Sequence, residues 1–336
     1  MPIAPDRVRG ALETIRSRVV RTPLLESPLL NELVRSRRGV ADARVFVKAE
    51  CLQHTGAFKF RGALHKLLCM DDETRGRGVC AFSSGNFAQA GAACLTRLPR
   101  RPSPLTIATS GRRPLPTTGL NPHRVRYSGG VVLGRTLLHP FDDEDVILGQ
   151  GTLALELFEQ HAEAGAAGGA GGGRVAPLSR LLVPTGGGGM AGGCCLARDA
   201  ASPQTQVWAI EPEGALNTLY NTVFPPRGWW IQHVGTPATT ICDALQANAP
   251  GHVTFAINSR GLAGAAAVGD ADVIEAMRVA FETLKLVLEP SGALGLAALL
   301  SGQVPLRDGE GVAVVACGGN VALPDFLGLV QRERTQ

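Results

Sequence analysis

Short apolar runs alternate with amphipathic segments along most of the chain. Apolar runs bounded by glycine or polar residues are typical of buried strands, and they lie at 45–49, 79–83, 180–185, 207–211 and 311–319. Apolar residues at helical spacing predict helices near the N-terminus, at 60–69, from about residue 88, at 151–164 and at 272–286. Strands that alternate with helices indicate an α/β protein with a parallel sheet.

The segment 95–136 interrupts this pattern. Prolines and arginines break the helical period there, and no helix is predicted. Ten arginines and no carboxylate lie between residues 74 and 141. Such a basic segment is compatible with nucleic-acid binding, but interleaved aromatic residues are missing, and we expect no nucleic-acid partner.

Two explanations of 95–136 stay open at this point. The segment is either a divergent loop region or the product of a local shift in reading frame. Arginine outnumbers lysine by 29 to 4 in the chain, as a GC-rich gene gives. An out-of-frame stretch of such a gene encodes Arg, Pro, Gly, Ser and Thr without carboxylates. Resequencing the gene separates the two, since an uninterrupted frame removes the second explanation.

Composition narrows the class of protein. The 336 residues suit one large domain or two ordinary ones, and 45% hydrophobic residues suffice for a buried core. No apolar run is long enough to cross a bilayer, and the N-terminus is not typical of a secretory signal. The eight cysteines show neither disulfide nor metal-site spacing, so we expect reduced thiols and a cytoplasmic protein.

One lysine is a candidate for covalent chemistry. Lys59 lies between Phe58 and Phe60 in the segment HTGAFKFRGA, residues 54–63. A lysine in an apolar pocket loses hydration of its ammonium form, so its pKa falls and a neutral amine becomes available to an aldehyde cofactor. The alternative is a surface lysine whose stem packs on the aromatic rings. The ten residues alone do not decide between these two interpretations.

A glycine loop follows the strand predicted at 180–185. Glycines let successive backbone N–H groups converge on an anion, and a following helix adds its positive dipole end. The loop consists of Gly186, Gly187, Gly188, Gly189 and Met190. A second interpretation exists, because Gly187, Gly189 and Gly192 also satisfy the dinucleotide pattern G-x-G-x-x-G, with Glu211 about twenty residues on. A nicotinamide-dependent oxidoreductase is therefore an alternative, although it leaves Lys59 unexplained.

Two further segments have both a functional and a structural interpretation. Residues 83–86 read SSGN between a predicted strand and a predicted helix, where exposed N–H groups bind a carboxylate or where the side chains simply cap the helix. Cys317 begins the segment CGGN after a predicted buried strand, and a cysteine at that place is most often a core residue.

Five segments, taken in order, resemble the landmarks of one family. They are HTGAFKFRGA, SSGN at 83–86, PTGGGGMAGG at 184–193, EPSGA at 289–293 and CGGN at 317–320. Their order is that of the fold-type II pyridoxal-phosphate enzymes, in the serine/threonine dehydratase and serine racemase family. The resemblance implies two three-layer α/β domains, similar to the tryptophan synthase β chain, with the cofactor in the cleft between them.

The resemblance also implies a division of the chain. Residues 1–70 and 148–336 would form the large domain that binds pyridoxal 5'-phosphate, and residues 71–147 would form the small domain, with 95–136 divergent. A homodimer is expected, and the partner molecule is a small amino-acid substrate.

Roles carry over to the matching positions. Lys59 would hold the cofactor aldehyde next to Phe58, and the loop 186–190 would hold its phosphate. Asn86 would meet the ring hydroxyl, Cys317 would face the ring nitrogen, and Glu289 would lie near the cofactor. The substrate carboxylate would be bound by Ser83, Ser84, Gly85 and Asn86.

The activity implied is dehydration and deamination of L-threonine or L-serine to a 2-oxo acid and ammonia, with Lys59 removing the Cα proton. Ser84 resembles the racemase-type members, so serine racemase is an alternative in which Ser84 returns a proton to the opposite face. An inactive pyridoxal-phosphate-binding protein is a third alternative, because 95–136 interrupts the small domain.

A cation site is the last expectation. Glu211, Ala215 and Asn217 match positions that hold a divalent cation, Mg²⁺ or Mn²⁺, in metal-bound members of the family. Asn217 replaces an aspartate there and removes one negative charge from the ligand set. The seven histidines form no cluster with ligand spacing, and none is assigned a role.

Overall fold

The computed structural model describes residues 2–82, 85–98, 106–108, 131–132, 135–166, 176–216, 239–247 and 249–331. Within these ranges the strands form two sheets. The strands are β1 (Leu24–Glu26), β2 (Arg44–Lys48), β3 (Val79–Phe82), β4 (Thr106–Ala108), β5 (Val131–Val132), β6 (Arg135–Leu138), β7 (Leu178–Pro184), β8 (Gln206–Pro212), β9 (Gly264–Val268) and β10 (Gly311–Val315).

The larger sheet has the strand order β1-β2-β10-β7-β8-β9, and all its pairs are parallel except β1 with β2. The smaller sheet has the order β4-β3-β6-β5, with β3 parallel to both β4 and β6. Parallel strands joined by helices confirm the predicted α/β class. The smaller sheet falls inside residues 71–147 and the larger sheet outside them, while the domain boundaries themselves stay a prediction.

The described helices are α1 (Arg7–Ile15), α2 (Pro28–Arg38), α3 (Lys59–Cys69), α4 (Asp72–Gly76), α5 (Asn86–Arg97), α6 (Glu144–Ala166), α7 (Gly189–Ala201), α8 (His252–Gly261), α9 (Asp270–Leu284), α10 (Pro290–Leu300) and α11 (Leu323–Val330). The five predicted strands and five predicted helices are all confirmed in type. Helix α6, however, begins seven residues before the predicted start, and α5 begins two residues early.

The first seven residues of α6 were missed by the sequence pattern for a clear reason. Every residue from Val146 to Phe158 is buried, so this part of the helix has no polar face and shows no amphipathic period. Helix α10 was not predicted for the same reason, because all eleven of its residues are buried. The start of α6 is instead set by Asp143, whose carboxylate accepts the N–H groups of Asp145 and Val146.

Helices α3 and α6 pack with their backbones nearly touching. A Cβ atom added at Gly149 would lie 2.7 Å from Gly62 Cα and 2.8 Å from the carbonyl oxygen of Arg61. Because only glycine permits this approach, the first turn of α3 lies directly against the buried part of α6. The close packing fixes the end of α3 that carries Lys59.

Three apolar clusters of buried residues fill the space around the sheets. Two of them lie on the larger sheet, where inward residues of β10 alternate between the clusters, Val312 and Val314 on one side and Ala313 and Val315 on the other. The third joins α3 to the strand β3 through Phe60, Leu64 and Val79. Among the described helices, none combines the length and apolar character needed to cross a bilayer.

Candidate active site

Lys59 is the first residue of α3 and lies between two aromatic rings. Its Nζ atom is 5.0 Å from the ring centre of Phe58 and 5.7 Å from that of Phe87, and it donates a hydrogen bond to the carbonyl oxygen of Pro140 at 2.9 Å. Part of the side chain stays accessible to solvent, but protein atoms enclose the amine, and this burial lowers the pKa of Lys59 to about 8. A nucleophilic neutral amine is therefore available near neutral pH.

The turn before Lys59 is tied to the CGGN segment. Thr55 and Gly56 both have positive φ, at 60° and 71°. Phe58 N donates to the Cys317 carbonyl oxygen at 3.1 Å, and Gly319 N donates to the Gly56 carbonyl oxygen at 2.9 Å. The two segments thus form a short antiparallel pair, centred on a bridge of Ala57 with Gly318. This pairing brings Cys317 next to Lys59.

A buried ionic network lies directly behind Lys59. Arg61 Nε is 2.8 Å from Glu50 Oε2, and Arg61 Nη2 is 2.7 Å from Glu156 Oε2, while Lys48 Nζ is 2.9 Å from the same Glu156 oxygen. None of the four side chains is more than 3% exposed. Burial alone would lower the pKa of Arg61, but the two carboxylates outweigh it and raise the pKa. Two cations and two carboxylates compensate one another inside the protein.

The glycine loop connects β7 to α7, as predicted. Gly188 has φ +91°, a conformation that favours glycine. A Cβ atom added at Gly187 would lie 2.4 Å from the ring of Phe141, and one added at Gly189 would lie 2.9 Å from the Phe141 backbone. No side chain fits at these two positions, so the backbone itself forms the surface of the loop.

Side chains of helix α8 orient the glycine loop by donating hydrogen bonds to the carbonyl groups of the loop. Thr254 Oγ1 donates to the Gly187 carbonyl oxygen at 2.7 Å, and Asn258 Nδ2 donates to the Gly188 carbonyl oxygen at 3.1 Å. In a trans peptide the N–H points away from the C=O, so the N–H groups of Gly188 and Gly189 point away from α8. Together with the positive end of α7 they make an anion site suited to a phosphate.

A chain of amide hydrogen bonds joins the other motifs. Asn86 Nδ2 donates to Glu289 Oε1 at 2.7 Å, and Asn320 Nδ2 donates to Asn86 Oδ1 at 2.8 Å and to the Thr55 carbonyl oxygen at 2.7 Å. Burial raises the pKa of Glu289 to about 7, against the opposing effect of the Asn86 hydrogen bond. The chain links the Thr-Gly turn with the SSGN, EPSGA and CGGN segments, which the sequence separates widely.

Cys317 is buried and its thiol is protonated. Sγ donates to the Ser291 carbonyl oxygen at 3.4 Å. Burial raises the pKa of Cys317 well above the ordinary value, and the nearby Glu289 carboxyl raises it further. The side chain of Cys317 is therefore neutral rather than anionic.

The connection between β6 and α6 is the part of the site that the sequence analysis missed. Pro140 accepts the Lys59 hydrogen bond, Phe141 packs on the glycine loop, and the Asp142 carboxylate accepts three N–H groups at the start of α8. His139 Nδ1 accepts the Asp142 N–H at 2.8 Å, so its proton is on Nε2, and burial lowers its pKa. No period or spacing marks these residues, because they act as single contacts in a loop.

The predicted site residues are placed as follows. Phe58, Lys59, Asn86, Glu289 and Cys317 meet through the contacts above, and the loop 186–190 joins them through Phe141. Gly85 precedes α5 with extended backbone, at φ −171°. Ser83, Ser84 and Asn217 lie outside the described residues. Glu211 and Ala215 are buried at the carboxyl end of β8. The individual roles stay predictions.

The residues fit pyridoxal phosphate. A lysine with a lowered pKa suits the aldehyde, a backbone loop without room for side chains suits the phosphate, and a buried neutral thiol suits an uncharged ring nitrogen. The dinucleotide alternative does not account for Lys59 or for the amide chain around Glu289.

Comparisons with known proteins agree with this fit. The family model described as "Pyridoxal-phosphate dependent enzyme" matches residues 15–99 and 133–318. The L-threo-3-hydroxyaspartate ammonia-lyase of a Pseudomonas species is 35% identical over 96% of each chain. The serine racemase of Arabidopsis thaliana is 32% identical over 94% of this chain and 92% of its own. The solved structure of a threonine deaminase from T.th. is 33% identical, has a TM-score of 0.74, and covers 96% of this chain and 99% of its own.

We expect attachment of the cofactor to depend on the protonation of Lys59. Below its pKa of about 8, only the neutral fraction reacts, so the rate of pyridoxal-phosphate attachment to cofactor-free protein rises about tenfold per pH unit and then levels off above that pKa. Stopped-flow absorbance measures the rate, and borohydride reduction followed by peptide mass spectrometry locates the label. A flat pH profile, or a label on another lysine, contradicts the assignment; Lys59→Arg is the control that abolishes labelling.

We expect Arg61→Met to destabilise the protein strongly. The substitution leaves Glu50 and Glu156 buried with only Lys48 as a counter-charge, and removing one partner of a buried ionic pair costs about 3–5 kcal/mol. Urea unfolding followed by circular dichroism gives the change. The matched control is Arg77→Met, whose partner Glu73 is 86% exposed, and it is expected to change stability by less than about 0.5 kcal/mol. An equal loss in the free energy of unfolding in the two variants would show that the buried network contributes no more to stability than an exposed ion pair.

Proposed function

Since this chain belongs to the pyridoxal-phosphate dependent enzymes, we propose that it is an ammonia-lyase for L-threonine and L-serine, which it converts to a 2-oxo acid and ammonia. The observation that carries the proposal is the pairing of Lys59, a base with a pKa of about 8, with the neutral thiol of Cys317 in one enclosed site. The family relatives with ammonia-lyase and racemase names support the reaction class.

The residues of the chain supply the proton transfers. When bound, the cofactor withdraws electrons from the substrate Cα. Lys59 Nζ, released from holding the cofactor, takes the Cα proton. The β-hydroxyl leaves with one proton as water, and the resulting enamine takes up one water to give the 2-oxo acid and ammonia. The water released and the water consumed cancel, so the products have together the composition of the substrate.

Cys317 favours elimination over transamination. A thiol carries no charge and donates only weakly, so the ring nitrogen facing it would stay largely unprotonated. An uncharged ring is a weaker electron sink, which disfavours a long-lived carbanion and favours rapid loss of the β-hydroxyl. The buried position of Cys317 and its raised pKa support this role.

Three alternative functions are each supported by a specific observation. Serine racemase is favoured by Ser84 and by the Arabidopsis relative. Deamination of L-threo-3-hydroxyaspartate is the second alternative, because the Pseudomonas relative is named for that activity. An inactive cofactor-binding protein is favoured by the gap in the family match between residues 99 and 133, which coincides with the divergent segment.

Product analysis separates these alternatives. The purified holoenzyme is given L-serine, L-threonine or L-threo-3-hydroxyaspartate, and the 2-oxo acid, ammonia and D-serine are measured. We expect pyruvate from L-serine and 2-oxobutanoate from L-threonine, with a higher kcat/KM than that for hydroxyaspartate. The reverse order identifies hydroxyaspartate as the substrate. Cofactor-loaded protein that gives no product supports the inactive alternative.

The variant Ser84→Ala tests the racemase alternative. Removal of the hydroxyl is expected to abolish any D-serine formation and to leave dehydration of L-serine largely intact, because Lys59 alone takes the Cα proton in the elimination. Unchanged formation of both products in this variant would show that Ser84 has no acid–base role.

A divalent cation is a further part of the proposal. Glu211 lies near the end of β8 and Ala215 three residues beyond that strand, and both are buried. A carboxylate and a backbone carbonyl are oxygen ligands that suit Mg²⁺ or Mn²⁺. Thermal melting with chelator and after Mg²⁺ is added back tests it; an unchanged melting temperature contradicts the site.

We also propose a homodimer. Phe281 on α9 and Leu323 and Leu327 on α11 are 41–68% exposed, and the two helices touch through Phe281 and Phe326, whose ring centres lie 5.9 Å apart. Such an apolar patch supports association. Light scattering that gives the mass of one chain contradicts the dimer.

A further inference from the structure

Three side chains of metal-binding type meet where α3 packs on α6. They are His65 and Cys69, one helical turn apart on α3, and Asp145 in the first turn of α6. One ligand atom from each lies within 4.8 Å of the others. We propose that His65, Cys69 and Asp145 bind a Zn²⁺ ion at this junction, separate from the cation site proposed at Glu211.

The imidazole of His65 is already oriented for a metal. Its Nδ1 lies 2.7 Å from the carbonyl oxygen of Asp145, which only accepts, so Nδ1 carries the proton and Nε2 holds the lone pair. A ring N–H bonded to a backbone carbonyl is the arrangement that fixes the tautomer of zinc-binding histidines. Burial lowers the pKa of His65 and keeps the ring neutral.

The thiol of Cys69 lies on the metal-facing side of that ring. Sγ is 3.5 Å from His65 Nε2. Zinc bonds of about 2.0–2.3 Å place two tetrahedral ligand atoms about 3.3–3.8 Å apart, so this pair already has the required separation. Of the eight cysteines, Cys69 is the exposed one, so a metal ion reaches it from solvent.

The carboxylate of Asp145 is available without leaving a charge unpaired. It is bonded to Lys66 Nζ at 3.0 Å, but the same ammonium lies 2.9 Å from Asp143. Rotation of the partly exposed Asp145 side chain toward the metal therefore leaves Lys66 paired with Asp143. The three ligand atoms lie within 4.8 Å of one another, so only a small approach is needed for all three to bind one ion. A water molecule would take the fourth coordination position.

The chemistry of the three donors favours Zn²⁺. A thiolate and an imidazole are the ligands that zinc prefers, whereas Mg²⁺ and Ca²⁺ take oxygen ligands almost alone. Binding displaces the thiol proton, so affinity rises with pH. The ion would connect α3, which begins at Lys59, to α6. It would stabilise the protein because it binds the folded state and not the unfolded state.

Cobalt substitution tests the site directly. Holoenzyme freed of metal with a chelator is titrated with Co²⁺, which takes the place of Zn²⁺ and reports tetrahedral thiolate ligation through visible d–d bands at longer wavelengths than the cofactor absorbs. We expect one equivalent per chain to give these bands and added Zn²⁺ to remove them. Absence of the bands at one equivalent overturns the proposal.

Two variants identify the ligands. Cys69→Ser, at an exposed position, is expected to abolish the d–d bands and to weaken Co²⁺ binding by at least about tenfold, a factor typical even of losses outside the ligand set. Cys51→Ser is the matched control, because Cys51 is the one other cysteine that is not fully buried and its loss should leave the bands intact. Unchanged bands in Cys69→Ser overturn the site; cobalt held by oxygen ligands near Glu211 is insensitive to that substitution.

Discussion

The site depends on the burial of Arg61 with its two carboxylates. Arg61 is two residues beyond Lys59, and its guanidinium ties the first turn of α3 to Glu50 after β2 and to Glu156 in α6. A buried cation is costly unless it is paired on all sides, so these elements are held in one arrangement. The backbone contact of Gly62 with Gly149 adds a steric limit to the electrostatic one. Lys59 therefore emerges from a helix end that has little freedom to move.

Lys59 and Arg61 show that nearby carboxylates, rather than burial alone, decide whether the pKa of a buried cation falls or rises. Both side chains are enclosed at the start of the same helix. Arg61 faces two carboxylates and stays charged, whereas Lys59 meets two rings and a carbonyl oxygen, and no described carboxylate lies within ion-pair distance. Desolvation therefore dominates at Lys59 and is overcome at Arg61. The first turn of one helix thus carries an amine with a lowered pKa and a cation with a raised one.

Much of this arrangement could be predicted from the sequence, and the exceptions have physical causes. The apolar runs predicted five strands because buried parallel strands are continuously hydrophobic, while α10 escaped because a helix buried on all sides has no period. The glycine loop and the lysine segment were visible as local patterns. Glu50 and Glu156 were not, since their partners come from distant parts of the chain. The proposed zinc site at His65 and Cys69 was not visible in the sequence, because its third ligand, Asp145, belongs to another helix.

The connection from β6 to α6 explains why the two sheets act on one site. His139, Pro140, Phe141 and Asp142 follow a strand of the smaller sheet, yet this segment contacts Lys59, the glycine loop after β7 of the larger sheet, and α8. A displacement of β6 would therefore reach the Lys59 amine and the glycine loop together, through one short segment. The strand β6 pairs with β3 and leads directly into this segment, so the smaller sheet is joined to the site through residues 139–143.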